Sequence, residues 1–97
     1  MTTLKPIHPG EVLREEFLRP LALSSGSVAR AIGVPRTRIE RLAAEQVDLS
    51  PDSALRLARY FGTSAEFWLN LHTRYVIETA GDAIKHELQR IEPFEAV

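Results

Sequence analysis

The sequence predicts an all-α chain of about five or six helices, and three observations carry that expectation. Apolar residues recur three and four positions apart along most of the chain, the spacing that lines one side of a helix. Proline, glycine and serine fall mostly where helices begin and end. No segment alternates apolar with polar residues, and no Asn-Gly pair marks a hairpin.

Pro9 opens the first helix, where its missing N–H costs nothing. Glu11 complements the positive helix end, Val12, Leu13 and Phe17 form the apolar side, and Pro20 stops the run. Ser24 or Ser25 caps a second helix, with Val28, Ala29 and Ile32 inward, and Gly33 closes it in the left-handed conformation. Pro35 opens a third, with Ile39, Leu42 and Ala43 on one side. After a loop through Glu45 and Asp48, Ser50-Pro51-Asp52 supplies a cap, a first-position proline and a first-turn acid. The fourth helix carries Ala54, Leu55, Ala58 and Phe61 inward and ends at Gly62. Thr63-Ser64-Ala65-Glu66 starts a fifth, whose Phe67, Trp68, Leu71 and Tyr75 read as a core stripe, with Asn70 bonded to a backbone group nearby. Gly81 breaks it, and a last short helix from Asp82 to Glu92 ends at Pro93. The expected organisation is one domain over 1–80 and a short helical extension over 81–97.

At 97 residues the chain is one small domain, marginal alone and helped by a partner or a dimer interface. No apolar run approaches the roughly 20 residues that span a bilayer, so no membrane association is expected. Met1 to Pro6 lack the apolar stretch of a secretory signal, and cysteine is absent, which together favour the cytoplasm. The formal net charge of −1 argues against nucleic acid until its distribution is read. Residues 28–60 hold six arginines (Arg30, Arg36, Arg38, Arg41, Arg56 and Arg59) against four acids, whereas residues 61–97 hold three basic and six acidic groups. The chain thus has a basic middle and an acidic tail. Six arginines on helices also suit an ordinary solvated surface.

The second and third helices, joined by a short turn at Gly33, form a helix-turn-helix. Ala29 is small where the helices must approach, Ile32, Val34 and Ile39 pin the crossing, and Gly33 supplies positive φ. With Ile39, Leu42 and Ala43 inward, Thr37 and Arg41 point most directly away, flanked by Arg38. Arginine bridges guanine O6 and N7, and threonine meets a thymine methyl, so Thr37, Arg38 and Arg41 are the expected base readers. Ser25, Ser27, Arg30 and Arg36 are the expected phosphate contacts, which set register without reading sequence. The same helical pattern without DNA contact is a plain bundle.

Other chemistry is not expected. His8, His72 and His86 are far apart and lack a ligand-spaced neighbour, so no metal site follows; His8 instead fixes the entry to the first helix. Glu15 and Glu16 diverge around a helix, Ser24, Ser25 and Ser27 have no nearby base, and no glycine loop cradles phosphate. The chain is expected to be no enzyme and to need no cofactor.

The stretch from Ile7 to about Tyr75 resembles the HigA (VapI-type) antitoxins of the wider lambda-repressor-like helix-turn-helix family. The resemblance is carried by Ile7-His8-Pro9-Gly10-Glu11-Val12-Leu13-Arg14-Glu15-Glu16-Phe17-Leu18, by Ala31 to Ile39, and above all by Ala54-Leu55-Arg56-Leu57-Ala58-Arg59-Tyr60-Phe61-Gly62-Thr63-Ser64-Ala65-Glu66-Phe67-Trp68-Leu69-Asn70-Leu71. It implies a lambda-repressor-like DNA-binding domain, a homodimer on a palindromic operator, autorepression, and neutralisation of a RelE-like, mRNA-cleaving HigB-type toxin. A dimer would set its two reading helices about 34 Å apart, in successive major grooves. Two stretches depart from the family pattern. Ser24-Ser25-Gly26-Ser27 stands where glutamine is usual, and Gly26 weakens its helix by roughly 1 kcal/mol relative to alanine. The loop after the reading helix carries Glu45 and Asp48 where a basic, glycine-rich loop is usual, which lowers the expected DNA affinity. Two other functions therefore stay open: a stand-alone transcription regulator, and a toxin-binding module with lost DNA affinity. The acidic tail is either a solvated surface or an attractant for a basic ribonuclease.

Overall fold

A computed structural model describes residues 5–95. The expectation about a secretory signal falls mostly on residues outside that range. Helix α1, Pro9–Val12, runs on into a π-helical segment, Leu13–Leu18; then follow α2, Ser25–Ile32, α3, Arg36–Ala43, α4, Pro51–Phe61, α5, Ala65–Ala83, and α6, Lys85–Gln89. The described residues contain no strand, and the all-α expectation holds. None of these helices is long and apolar enough to cross a membrane.

Local chemistry sets each start. His8 is the cap of α1: its Nδ1 accepts from the Gly10 N–H at 2.8 Å, and the residue is buried. Ser24, Ser50 and Ser64 cap α2, α4 and α5 by accepting from the N–H three residues on, at 3.0, 3.1 and 3.0 Å. Gly33 and Gly62 close α2 and α4 at φ +76° and +73°. Two further ends use the same wrap without glycine. Ala22, at φ +53°, precedes a bond from Leu23 N–H to Leu18 O, and Glu45, at φ +62°, precedes one from Gln46 N–H to Arg41 O.

The core is one cluster. Leu13 and Leu18, Val28, Ala29 and Ile32, Ile39 and Leu42, Leu49, Ala54, Leu57 and Trp68 all lie inside it. Phe17 packs among Phe61 and Trp68, with ring centroids at 4.7 and 5.1 Å, and so ties the π-helical segment to the α4–α5 corner. Trp68 is fully buried, and its Nε1–H donates to the Thr63 hydroxyl at 2.8 Å. A Cβ on Gly10 would lie 1.8 Å from the Leu42 carbonyl oxygen, so α1 touches α3 backbone to backbone.

Several inward assignments shift. On α4 the buried stripe is Ala54, Leu57 and Ala58, while Leu55 is 61% exposed. Leu55 and Leu57 both keep a three-residue spacing to the stripe, but from Ala54 Leu55 lies about 100° round on one side and Leu57 about 60° on the other, and the side of Leu57 is the one that is covered. Phe67 lies at the core margin, and Asn70, expected to bond to backbone, is exposed. Gly81 does not break α5, which continues to Ala83; a Cβ there would meet nothing within 4 Å. The last helix is correspondingly shorter than the expected span from Asp82 to Glu92. The π-helical turn also rotates the first helix, so that Leu18 is buried along with Leu13 while Val12 and Phe17 are half-buried.

Candidate nucleic-acid interface

Helices α2 and α3 form the helix-turn-helix around buried Ala29, Ile32, Ile39 and Leu42, with Val34 half-buried in the turn. The turn itself is fixed by Gly33 and by the Val34 N–H, which donates to Ala29 O at 3.0 Å. Pro35 precedes α3 in an extended conformation, and no side chain caps the first turn. The free N–H groups and the positive end of α3 are therefore open to an anion.

Around α3 the expected readers sit differently. Thr37 and Arg41 are exposed, and among the described residues Arg41 makes no ion pair. Arg38 is half-buried: its Nη1 donates to Asp52 Oδ1 at 2.6 Å. Arg36 is exposed and lies 3.6 Å from the Glu40 carboxylate one turn on. Arg30, on α2, is exposed beside it, and the two arginines flank a shallow cleft floored by Gly26, Ala29 and Val34. A Cβ on Gly26 would come to 3.2 Å from Arg36 Cδ, so the glycine gives the Arg36 stem room across the start of α2. Ser25 is half-buried, and Ser27 Oγ donates back to Ser24 O at 2.9 Å, within the cap. The structure thus brings Arg30, Arg36, Thr37 and Arg41 to one surface, with Arg38 at its α4 edge and Ser27 engaged locally.

Three residues that sequence reasoning did not place support this surface. Asp52, taken there only as a first-turn acid, accepts from both Arg38 and Arg56, the latter at 2.8 Å. Arg56 Nη1 donates to the carbonyl of Ile32 at 2.7 Å, so it closes the C-terminal end of α2 at the turn. The signal was the four-residue spacing of Asp52 and Arg56 on one helix. Arg14, from the first helix, donates to Ala43 O at the end of α3 and pairs with Glu45 at 3.2 Å. Glu45 therefore faces a guanidinium rather than solvent alone. Its partner in the acidic loop, Asp48, is exposed. Arg38 and Arg56 hold the Asp52 carboxyl below the ordinary aspartate range, with Arg38 the larger influence. Arg14, and after it Arg19, do the same for Glu15.

No family model matches the chain. Individual proteins do. It is 49% identical over 74 residues to virulence-associated protein I of Dichelobacter nodosus, spanning 76% of this chain and 68% of that protein. It is 32% identical over 92 residues to antitoxin HigA-1 of Vibrio cholerae, spanning 95% of this chain and 87% of that one. Among solved structures, Pseudomonas aeruginosa antitoxin HigA with the higBA promoter superposes with a TM-score of 0.89 at 44% identity, over 93% of this chain and 99% of the other. Antitoxin GraA in complex with its operator does so with a TM-score of 0.89 at 37% identity, over 99% and 98%. These likenesses run through the α2–turn–α3 unit and the α4–α5 corner alike. The chain belongs to the HigA antitoxins, within the lambda-repressor-like helix-turn-helix proteins.

Proposed function

We propose that this chain is a cytoplasmic, non-enzymatic antitoxin that represses its own operon and neutralises a HigB-type, mRNA-cleaving toxin. DNA binding rests on one observation above the rest: a glycine turn presents α3 with its first turn uncapped and its outer face set with Arg36, Thr37 and Arg41. HigA and GraA, of the same fold, are described bound to promoter or operator DNA. Thr37, Arg38 and Arg41 read bases; Ser25, Arg30 and Arg36 hold phosphates, and Ser27 joins them by turning its hydroxyl from Ser24 O to the DNA. The pairing of Glu45 with Arg14 weakens the case for a toxin-binding module that has lost DNA affinity, because that carboxylate is partly neutralised.

The division of labour follows the chain. The division expected from the sequence, 1–80 for DNA binding and 81–97 as an extension, gives the end of α5 and α6 a role in association. Val76, Ile77, Ile84, Leu88, Ile91 and Phe94 are all exposed along this end. Covering them against a second copy would give the dimer that a palindromic operator requires.

A gel shift on the DNA upstream of the gene, run across salt concentrations, tests the DNA function. Wild type should bind that duplex far better than a scrambled one and weaken steeply with salt. Unchanged binding after Arg38→Ala with Arg41→Ala would overturn the residue assignment. Co-purification with a basic product of the neighbouring gene tests the toxin partner; a chain that repeatedly purifies alone overturns it.

A further inference from the structure

We infer that Asp52 is a specificity-determining residue of the DNA-binding face, a brace that aims the Arg38 guanidinium at a guanine; the inference rests on the DNA-binding function proposed above. Arg38 is the one arginine of α3 tied to another helix among the described residues. Arg36 pairs only within α3, and Arg41 with no carboxylate. The tie is part of a relay. Asp52 Oδ1 accepts from Arg38 Nη1 at 2.6 Å and from Arg56 Nε at 2.8 Å, and Arg56 Nη1 reaches back to Ile32 O at 2.7 Å. The carboxylate is thereby held from the turn of the helix-turn-helix, through α4, against the reading helix.

Such a brace has a definite physical consequence. An unbraced arginine must freeze several rotamers on meeting a base, and that ordering opposes binding. Asp52 orders the guanidinium beforehand. It engages only Nη1, and the other N–H donors of the fork stay available for guanine O6 and N7. The pair does not bury the arginine: the Arg38 side chain retains 40% of its exposure and that of Asp52 54%.

The competing role for Asp52 is a simple strut between α3 and α4, and the two roles differ in whether its loss acts on the operator selectively. Removing a negative charge beside DNA should tighten binding to every sequence. Removing a brace should loosen binding to the operator in particular.

The test is fluorescence anisotropy with the full chain on two labelled duplexes, one from upstream of its own gene and one scrambled. Asp52→Asn should lower the ratio of operator to scrambled affinity by about tenfold, with scrambled binding equal or tighter. In an Arg38→Ala background the same substitution should move the ratio by less than about twofold, since the brace then has nothing to hold. Dimethyl sulfate footprinting should show a guanine N7 protected by wild type, unprotected with Arg38→Ala and weakly protected with Asp52→Asn. Arg38→Lys keeps the charge and loses the fork, so it should lose the operator preference even where Asp52→Asn folds poorly. A folded Asp52→Asn protein with an unchanged or higher ratio overturns the brace alone, as does an equal drop in the Arg38→Ala background. A wild-type chain that does not prefer the upstream duplex overturns the brace together with the DNA function beneath it.

Discussion

The body of the molecule, from Pro9 to about Leu71, and the arm formed by the end of α5 with α6 are both helical, yet they are stabilised by different means. In the body each helix carries a buried stripe, and apart from the uncapped start of α3 its ends are closed by His8, by serine hydroxyls, by a residue at positive φ, or by an arginine from a neighbouring helix. In the arm no residue from Val76 to Glu95 is buried, and α6 has five residues with no side-chain cap. A helix that short has no stability of its own in water. The molecule is accordingly elongated, 54 × 30 × 21 Å. The difference teaches that the body buries its apolar stripes within itself, whereas the described part of the arm leaves Ile77, Ile84, Leu88 and Ile91 exposed.

Matched substitutions at two glycines separate the regions most sharply. Gly10→Ala would drive a methyl group into the Leu42 carbonyl, a backbone atom that cannot swing aside. The expected loss is more than about 3 kcal/mol, the upper range for overpacking, and the chain should fail to melt cooperatively in circular dichroism. Gly81→Ala places its methyl in open space inside a helix and should stabilise α5 by up to about 1 kcal/mol. A cooperative, wild-type-like melt for Gly10→Ala would break the contrast.

Apolar truncations come next. Leu57→Ala removes a fully buried side chain at the centre of the core and should cost about 3 kcal/mol in urea unfolding. Ile77→Ala, at a position 64% exposed, should leave unfolding of the dilute protein within about 0.5 kcal/mol. Its effect should appear in light scattering as a lower molar mass at a given concentration, if the arm is where two copies meet.

The same contrast explains what the sequence made legible. Helix ends follow from local rules, so Gly33, Ser50 and Gly62 occupy their expected places, Ser24 is the cap of the two serines that could serve, and Ser64 falls within the expected start at Thr63 to Glu66. The turn of the helix-turn-helix is readable for the same reason. Faces were less secure. Leu55 and Leu57 are both apolar and flank the Ala54–Ala58 line on opposite sides, and packing selects Leu57, whose place depends on which helices lie beneath. Gly81 read as a break because glycine weakens a helix, and α5 continues because a single glycine costs only about 1 kcal/mol. Contacts between distant residues were not readable at all. Arg14 with Ala43, Arg56 with Ile32, and Gly10 against Leu42 join segments 24 to 32 residues apart, and nothing local encodes them. The arginine-lined surface could be anticipated from helical arithmetic; the tether on Arg38 could not.

Smaller effects probe the body's two ends that lack glycine. Ala22 is exposed and holds φ +53°, a conformation that a Cβ disfavours. Ala22→Gly should raise stability by roughly 0.5–1 kcal/mol in thermal melts, the strain relief exceeding the added freedom of the unfolded chain. Glu45→Gly should gain less, because the same change removes the carboxylate that pairs with Arg14. If Glu45→Gly is the more stabilising of the two, that pair contributes nothing.

The smallest expected effect is electrostatic and confined to acid. Asp52 and Glu15 both have carboxyls held below their ordinary range, Asp52 chiefly by Arg38 and Glu15 chiefly by Arg14. A carboxyl depressed in the folded state contributes stability that is fully present above its unfolded value, near pH 4, and is lost as the pH falls through the lower folded value. The part of the stability that these pairs supply, read as the difference between wild type and Asp52→Asn, should therefore be constant from neutral pH to about pH 5 and shrink below about pH 4. Both carboxylates are solvent-exposed, so added salt should shrink the difference between wild type and Asp52→Asn at pH 6. As the pH falls through the lowered folded value the two proteins should converge, because the carboxylate that distinguishes them is then being protonated. A difference that stays constant however far the pH is lowered would show that the Asp52 side chain supports α4 through packing or a neutral hydrogen bond, and not through its charge on Arg38 and Arg56.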